Sequence, residues 1–270
     1  MQPASIISNP LIAARFDYRQ AEFADKKYSV RFAQNAEEIE AALKLRFEVF
    51  NLELGEGLDS SIQTGRDRDE FDASCHHLIV MEKSRRNVVG TYRVRTIEMA
   101  GNAEGFYSAG EFDLNCLPPG VLNQSVELGR ACINRSHRNR QVLFLLWKGL
   151  AAYLTVRQKR YTFGCCSLTS QDQREGIATF NYLRKTGHVH PSLQVPVRTE
   201  YECIVERTDD LWDNEVNIPK LFATYLGIGA QIVSPPAIDR RFKTIDFLVL
   251  LDTQSMEERA RKFFFAAGNP

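Results

Sequence analysis

A chain of 270 residues with 34 basic and 34 acidic side chains has no net charge, which argues against a broad nucleic-acid-binding face. Hydrophobic residues make up 44% and charged residues 25%, an ordinary globular balance, and no run approaches the roughly 18 apolar residues of a membrane helix. The N-terminus lacks the basic start and apolar run of a secretory leader, so a cytoplasmic protein is expected. The six cysteines lack paired spacing and read as small buried hydrophobes.

Residues 1–27 read as an irregular arm and 28–270 as one domain. Tyr28–Phe32 (YSVRF) alternates like a short strand. Asn35 then suits the N-cap of AEEIEAALKLRFEVFNLEL, in which Ile39, Leu43, Phe47 and Phe50 recur at helical spacing. Arg46 is offset from that stripe, as either a surface arginine or an inward anion-binding group would be. Residues 55–74 are polar and turn-rich. Asp69 and Asp72, three apart, could serve one cationic ligand if the segment turns, or stay solvated in a charged loop.

His77–Lys83 and Val88–Ile97 predict a hairpin joined by SRRN. In its second strand Val89, Thr91, Arg93 and Arg95 fall on one face, with Val88, Tyr92 and Val94 on the other. A Gly- and Pro-rich stretch, 98–123, leads into the central strand SVELGRACIN. Regular alternation there sets Glu127 and Arg130 on opposite faces. A bulge at Gly129 would bring them to one side, and the periodicity leaves both geometries open.

From Leu128 to Gln171 there is no Asp or Glu, whereas Arg130, Arg135, Arg138, Arg140, Lys148, Arg157, Lys159 and Arg160 are all basic. A field polarised in this way draws in an anionic partner. The helix after RSHRNRQ starts near Asn139 and is apolar almost all round (Leu143, Leu146, Trp147, Leu150, Leu154), so it should be buried, with an N-terminus suited to phosphate.

Further strands are expected at Tyr161–Cys166, Glu200–Glu206, Ala230–Val233 and Ile245–Leu251, and helices from Ser170 to Leu183, Pro219 to Leu226 and Ser255 to Phe265. The last carries Arg259, Arg261 and Lys262 beside Phe263, Phe264 and Phe265. That composition fits peripheral membrane contact or, more simply, packing on the sheet. A cysteine nucleophile at Cys165 or Cys166 is disfavoured, because YTFGCC reads as a buried strand with no histidine near it in sequence. The alternation of strands and helices around a mixed sheet gives an α/β (α+β) fold.

The strand, hairpin, bulged central strand at 125–133 and basic helix N-terminus resemble the GNAT acyltransferase superfamily. More narrowly, LRFEVFNLELG with DRDEFDASCHHLIV and VVGTYRV, ELGRACI with LLWKGLAAYL and FGCCSLTS, and IPKLFATYLGIGAQIVSPPAIDRRFKTIDFLVLLD resemble the bacterial ornithine-lipid N-acyltransferases, often labelled hemolysin-like. These stretches cover most of residues 40–265. A more distant similarity is to N-acyl-homoserine-lactone synthases and N-acyl amino acid synthases, on Arg46 with Phe50, Asp69 and Asp72, Arg93, and the Glu127-x-x-Arg130 strand.

The resemblance implies transfer of a fatty acyl group from an acyl carrier protein thioester to the α-amine of an amino acid, with ornithine as the expected acceptor. Glu127 would be the base, with Arg130 binding the acceptor carboxylate or fixing Glu127. Asp69, Asp72, Arg93 and Arg46 would hold the acceptor. The donor's acyl-phosphopantetheine would run along Leu128, Gly129, Ala131, Cys132 and Ile133, with Arg138 and Arg140 at its phosphate. No tightly bound cofactor or metal is expected. Two departures matter: RSHRNRQV lacks the glycines of the usual GNAT pyrophosphate loop, which favours a carrier protein over coenzyme A, and His76 stands where related enzymes often have an acid. A signal synthase with another amine acceptor and a non-catalytic carrier-binding module are the competing readings.

Overall fold

The computed structural model describes residues 22–205 and 216–265, so most of the expected N-terminal arm lies outside the described residues. The strands are β1 (Phe23–Ala24), β2 (Tyr28–Phe32), β3 (His76–Glu82), β4 (Asn87–Thr96), β5 (Ser125–Ile133), β6 (Tyr161–Leu168), β7 (Gln231–Ile232), β8 (Ala237–Asp239) and β9 (Thr244–Asp252). They form one sheet in the order β1-β2-β3-β4-β5-β6-β9-β7, with β8 also on β9. Every pairing is antiparallel except β5 with β6. The sheet therefore begins within the expected arm, at Phe23.

Helices cover both faces. On one, α2 (Arg140–Arg157) buries Leu146, Leu150 and Leu154 against Val30, Leu78, Val94 and Val126. Its Asn139 cap accepts from the Val142 amide, as a short polar side chain at a helix start should. Beside it, α3 (Gln173–Lys185), α4 (Lys220–Gly227) and α5 (Glu258–Phe265) pack on Ile245, Phe247 and Val249 of β9. The opposite face is covered by α1 (Ala36–Phe47), whose Ala42 and Leu45 lie on Ile79 and Cys132, and by the segment from Ala103 to Leu122, packed on Phe163 and Leu248. No helix among the described residues is long and apolar enough to cross a membrane.

Two bulges set which side chains reach the site. In β4 the pairing steps from Val80–Gly90 to Met81–Val88. The alternation reverses there: Val88 joins the cluster under α1 and Val89 the one under α2, opposite to what simple alternation predicts. In β5, Thr91 pairs with Cys132 and Arg93 with Gly129, so Arg130 and Ala131 together face Tyr92. The bulge expected at Gly129 is thus present but falls one residue later. Arg130 adopts the left-handed conformation, φ 50°, while Gly129 does not.

The parallel ladder of β5 and β6 stops at Glu127–Phe163, although both strands run on. At that separation a Cβ on Gly164 would overlap the Leu128 carbonyl oxygen, so only glycine lets β6 pass so close. Other sequence expectations fail here. Residues 200–205 of the expected EYECIVE strand form a short turn at Thr199–Tyr201 and a single bridge from Glu202 to Ala237, with Ile204 72% exposed, because the segment has no second strand on which to bury it; Glu206 lies outside the described residues. The terminal Phe264 and Phe265 pack inward, Phe264 with its ring centroid 4.9 Å from that of Trp147. Both rings are partly buried, as the packing role requires.

Gly164→Ala should cost roughly 1–3 kcal/mol of stability through overpacking, read as a lower urea midpoint. Gly129→Ala, whose added Cβ meets nothing within 4 Å, should keep the midpoint near the wild-type value.

Candidate active site

A cavity of about 300 Å³ passes through the sheet where β5 and β6 separate. On the α1 side its wall is polar: Glu56, Arg93, Arg95, Tyr107, Glu127, Arg130 and Asp246. On the α2 side it is apolar, with Leu128, Phe222, Tyr225, Val249 and Leu251. The small residues Gly129, Ala131 and Gly164 form the waist between them. A smaller apolar hollow beneath α5 shares Leu128, Tyr225 and Leu251 with this cavity and adds Trp147, Leu154 and Phe264.

Below the polar chamber lies a buried ionic network. Arg46, fully buried near the end of α1, donates from Nε to Asp67 at 2.7 Å and from Nη1 to Asp72 at 2.6 Å. Arg93 donates to Asp69 at 2.5 Å and to Asp72 at 3.2 Å. Arg130 joins from β5, with Nε 3.2 Å from Asp67 and Nη2 3.1 Å from Asp69. Three arginines thus meet three aspartates, and the local charge balances. Burial alone would raise the Asp72 carboxyl, but Arg46 and Arg93 outweigh it and hold the group well below the usual carboxylate range; Asp69 is lowered by Arg93 and Arg130 against the same desolvation. The Arg130 guanidinium also lies 4.6 Å from the Tyr107 ring centroid and 4.3 Å from that of Phe242. A strained backbone is tolerated where its surroundings hold it so firmly.

Glu127 and Arg130 do reach the same face, yet no contact joins them. Both Glu127 oxygens accept hydrogen bonds: from the Tyr107 amide at 3.0 Å, the Ser108 amide at 2.8 Å and the Ser108 hydroxyl. Of the other residues singled out from sequence, Leu128, Gly129, Ala131 and Arg93 line the cavity. Arg46, Asp69 and Asp72 sit behind its wall. With their charges matched inside the network, Asp69 and Asp72 do not form an open anionic pair, so neither the cation clamp nor the solvated loop describes them. Cys132 points under α1, where burial pushes its thiol up to about 12, away from a donor path. Ile133 packs with the α2 cluster. Arg138 and Arg140 are exposed at the α2 N-terminus, but Arg138 is bound by Glu53 at 2.6 and 2.8 Å and is not a free anion receptor.

The chemistry that sequence reasoning overlooked is a second group of acids. Asp246 lies in the interior of β9, pushed up to about 6 by burial, against a Ser167 hydrogen bond and with the Asp239 charge adding. Glu111 is raised well above its ordinary value by burial and by Asp246. Glu56, whose carboxylate accepts from the Thr169 hydroxyl, is raised by burial as well. A lone acid inside IDFLVLL was the available signal, since a buried carboxylate needs a reason. Glu111, in a loop, offered none. Cys165 and Cys166 sit on opposite faces of β6, with burial raising both thiols, the reverse of what a thiolate nucleophile needs.

A family model described as an acetyltransferase (GNAT) domain matches residues 45–148. The chain is 31% identical over 253 residues to the L-ornithine N(alpha)-acyltransferase of Brucella abortus, covering 89% of each sequence. It is likewise 31% identical over 253 residues to that of Rhizobium meliloti, covering 87% of this chain and 83% of the relative. Among solved structures, the AHL synthase LasI aligns with a TM-score of 0.49 at 11% identity, over 88% of this chain and 95% of its own.

Replacing Arg46 by Met should cost about 3–5 kcal/mol, because three buried aspartates would be left with two arginines; urea unfolding measures it. The two acid groups also predict opposite pH trends. Asp69 and Asp72, held low, stabilise the fold above the unfolded carboxyl pKa of about 3.9, and that contribution is lost as pH falls below it. Asp246, held high, favours the fold below about 3.9, and this is lost as pH rises through about 6. Asp246→Asn should flatten the decline in melting temperature between those two values.

Proposed function

The chain belongs to the L-ornithine N(alpha)-acyltransferase family, and from that membership we propose that it transfers a fatty acyl group from an acyl carrier protein thioester to the α-amine of ornithine, a step in making an ornithine-headed lipid. One observation carries the proposal: the cavity joins a charged chamber to an apolar arm through the waist at Gly129, Ala131 and Gly164. A substrate pair with a polar, charged acceptor and a long apolar acyl chain needs two such compartments meeting at the reacting carbon.

In this reading the donor arm lies along the edge of β5 that β6 has vacated, from Leu128 onward, and the acyl chain enters the apolar arm. The amine nitrogen attacks the thioester carbon, the carbon–sulfur bond breaks, and the thiol leaves with a proton. Backbone N–H groups of β5 beyond Glu127 stabilise the oxyanion. Glu127 takes a proton from the α-ammonium, so that the neutral amine can attack. As a positioned general base it would contribute about 10² in rate. Arg95 and Arg93, on the polar wall, would meet the acceptor carboxylate, while Arg130 keeps Asp69 and the bulge in place.

Arg135 and Arg140 beside the α2 N-terminus give the donor phosphate and an acidic carrier surface a basic landing place. The absence of glycines in RSHRNRQV favours the single phosphate of a carrier protein over the pyrophosphate of coenzyme A.

Thiol release from acyl carrier protein thioesters, measured with a panel of amino acids, should be fastest with ornithine; release without amine dependence, or none, defeats the proposal. Glu127→Gln should lower kcat about 100-fold and also the melting temperature, because its amide would face the Tyr107 and Ser108 donors. Arg140→Glu should raise KM for the carrier thioester severalfold and weaken its salt dependence, leaving thermal stability unchanged. Unaltered KM would remove this patch from the donor site.

A further inference from the structure

Asp246 stands between Ile245 and Phe247 in a strand that is otherwise buried and apolar for most of its length. Only 3% of it is exposed, it lines the cavity, and its Oδ1 has no hydrogen-bond partner. Glu111, also 3% exposed, has an unpartnered Oε2. A carboxylate oxygen of each and the Cys165 Sγ lie within 4.8 Å of one another. Among the described residues, no ion pair reaches Glu111, Asp246 or the neighbouring Glu56 and Asp239. Arg130, the nearest source of positive charge, is already bound to Asp67 and Asp69. Two buried acids without a counter-ion are pushed toward their neutral forms, and a bound cation would favour their carboxylates instead.

The position of the pair fits one cation. Asp246 pairs across the sheet with Ser167, and Glu127 with Phe163, so both acids rise from the same face as Cys165. Cys165 lies two residues beyond Phe163, roughly 7 Å along the strand. The two nitrogens of an extended five-carbon diamino acid are roughly 6 Å apart by standard bond lengths. An α-amine attacking at the waist beside Leu128 would therefore carry its second nitrogen to the Asp246 and Glu111 carboxylates.

We propose that Asp246 and Glu111 form the seat for the side-chain ammonium of a diamino acid acceptor, and that this pair makes the enzyme select ornithine over amino acids with uncharged side chains. The inference rests on the acyl-transfer reading. It assigns the selectivity to acids from β9 and the 97–123 segment rather than to Asp69 and Asp72. Seating the side-chain ammonium displaces any proton the two acids hold, and that ammonium then stays charged while the α-amine reacts.

The test compares ornithine with norvaline, which has the same carbon chain without the second amine, and adds 1,4-diaminobutane as a binding probe. Wild type should show a kcat/KM for ornithine at least tenfold above norvaline. In Asp246→Asn that ratio should fall at least tenfold, while the melting temperature without ligand at neutral pH stays the same or rises. Glu111→Gln should do the same and serves if the first variant fails to fold. Ornithine and 1,4-diaminobutane, but not norvaline, should raise the melting temperature of wild type, and Asp246→Asn should abolish that rise. An unchanged ornithine-to-norvaline ratio in both variants overturns the proposal. So does the absence of any diamine-dependent shift in wild type, and so does stoichiometric zinc binding that is lost in Asp246→Asn without diamine binding. Thiol release that no amine stimulates defeats the acyl-transfer reading instead, and the diamine shift still decides whether the seat exists.

Discussion

The matching of buried charge by Arg46, Arg93 and Arg130 with Asp67, Asp69 and Asp72 is the constraint on which the polar half of the site depends. These six groups come from α1, the loop after it, β4 and β5. Removing any one leaves a partner desolvated and unmatched, so the elements hold one another in register. The bulge follows from this. Arg130 leaves the regular strand to reach Asp67 and Asp69, and the two rings that flank its guanidinium keep it there. Gly129 and Arg130 then fall on the same face, and the wall of the chamber is built.

A second constraint acts across the sheet. The β5–β6 ladder ends at Glu127, and Gly164 admits the Leu128 carbonyl just beyond. Together these open a passage without breaking either strand. The polar wall is then held by charge matching and the apolar arm by hydrocarbon packing around Tyr225 and Leu251. The two halves have different physical origins and meet only at the waist.

Most of the architecture was legible from periodicity. The central strand, the apolar helix after it and the capping Asn139 are local signals, and local signals survive folding. What was not legible depends on partners far apart in the chain. Arg46 sits off the hydrophobic stripe of its helix, and nothing nearby says that Asp67 and Asp72 will surround it. Asp69 and Asp72 looked like a ligand pair because acids three apart suggest one, whereas their arginines come from strands read separately. The bulge was inferred at Gly129 because glycine is permissive, yet the left-handed residue is Arg130, whose side chain is held strongly enough to impose the conformation. EYECIVE alternates like a strand but has too little sheet beside it to become one.

The two-sided cavity has a consequence for the order of events on the proposed reading. The product would be a molecule whose charged head lies on one side of the sheet and whose tail lies on the other, threaded through an opening lined by glycine and alanine. Leaving by the acceptor mouth would drag the hydrocarbon tail through the chamber of arginines and acids, stripping their hydration. Leaving by the donor mouth asks only that the small head follow the tail through the waist, but that way stays plugged while the carrier's arm is in place. On that reading the spent carrier would have to withdraw before the lipid could go, with the sheet acting as a turnstile between the two departures.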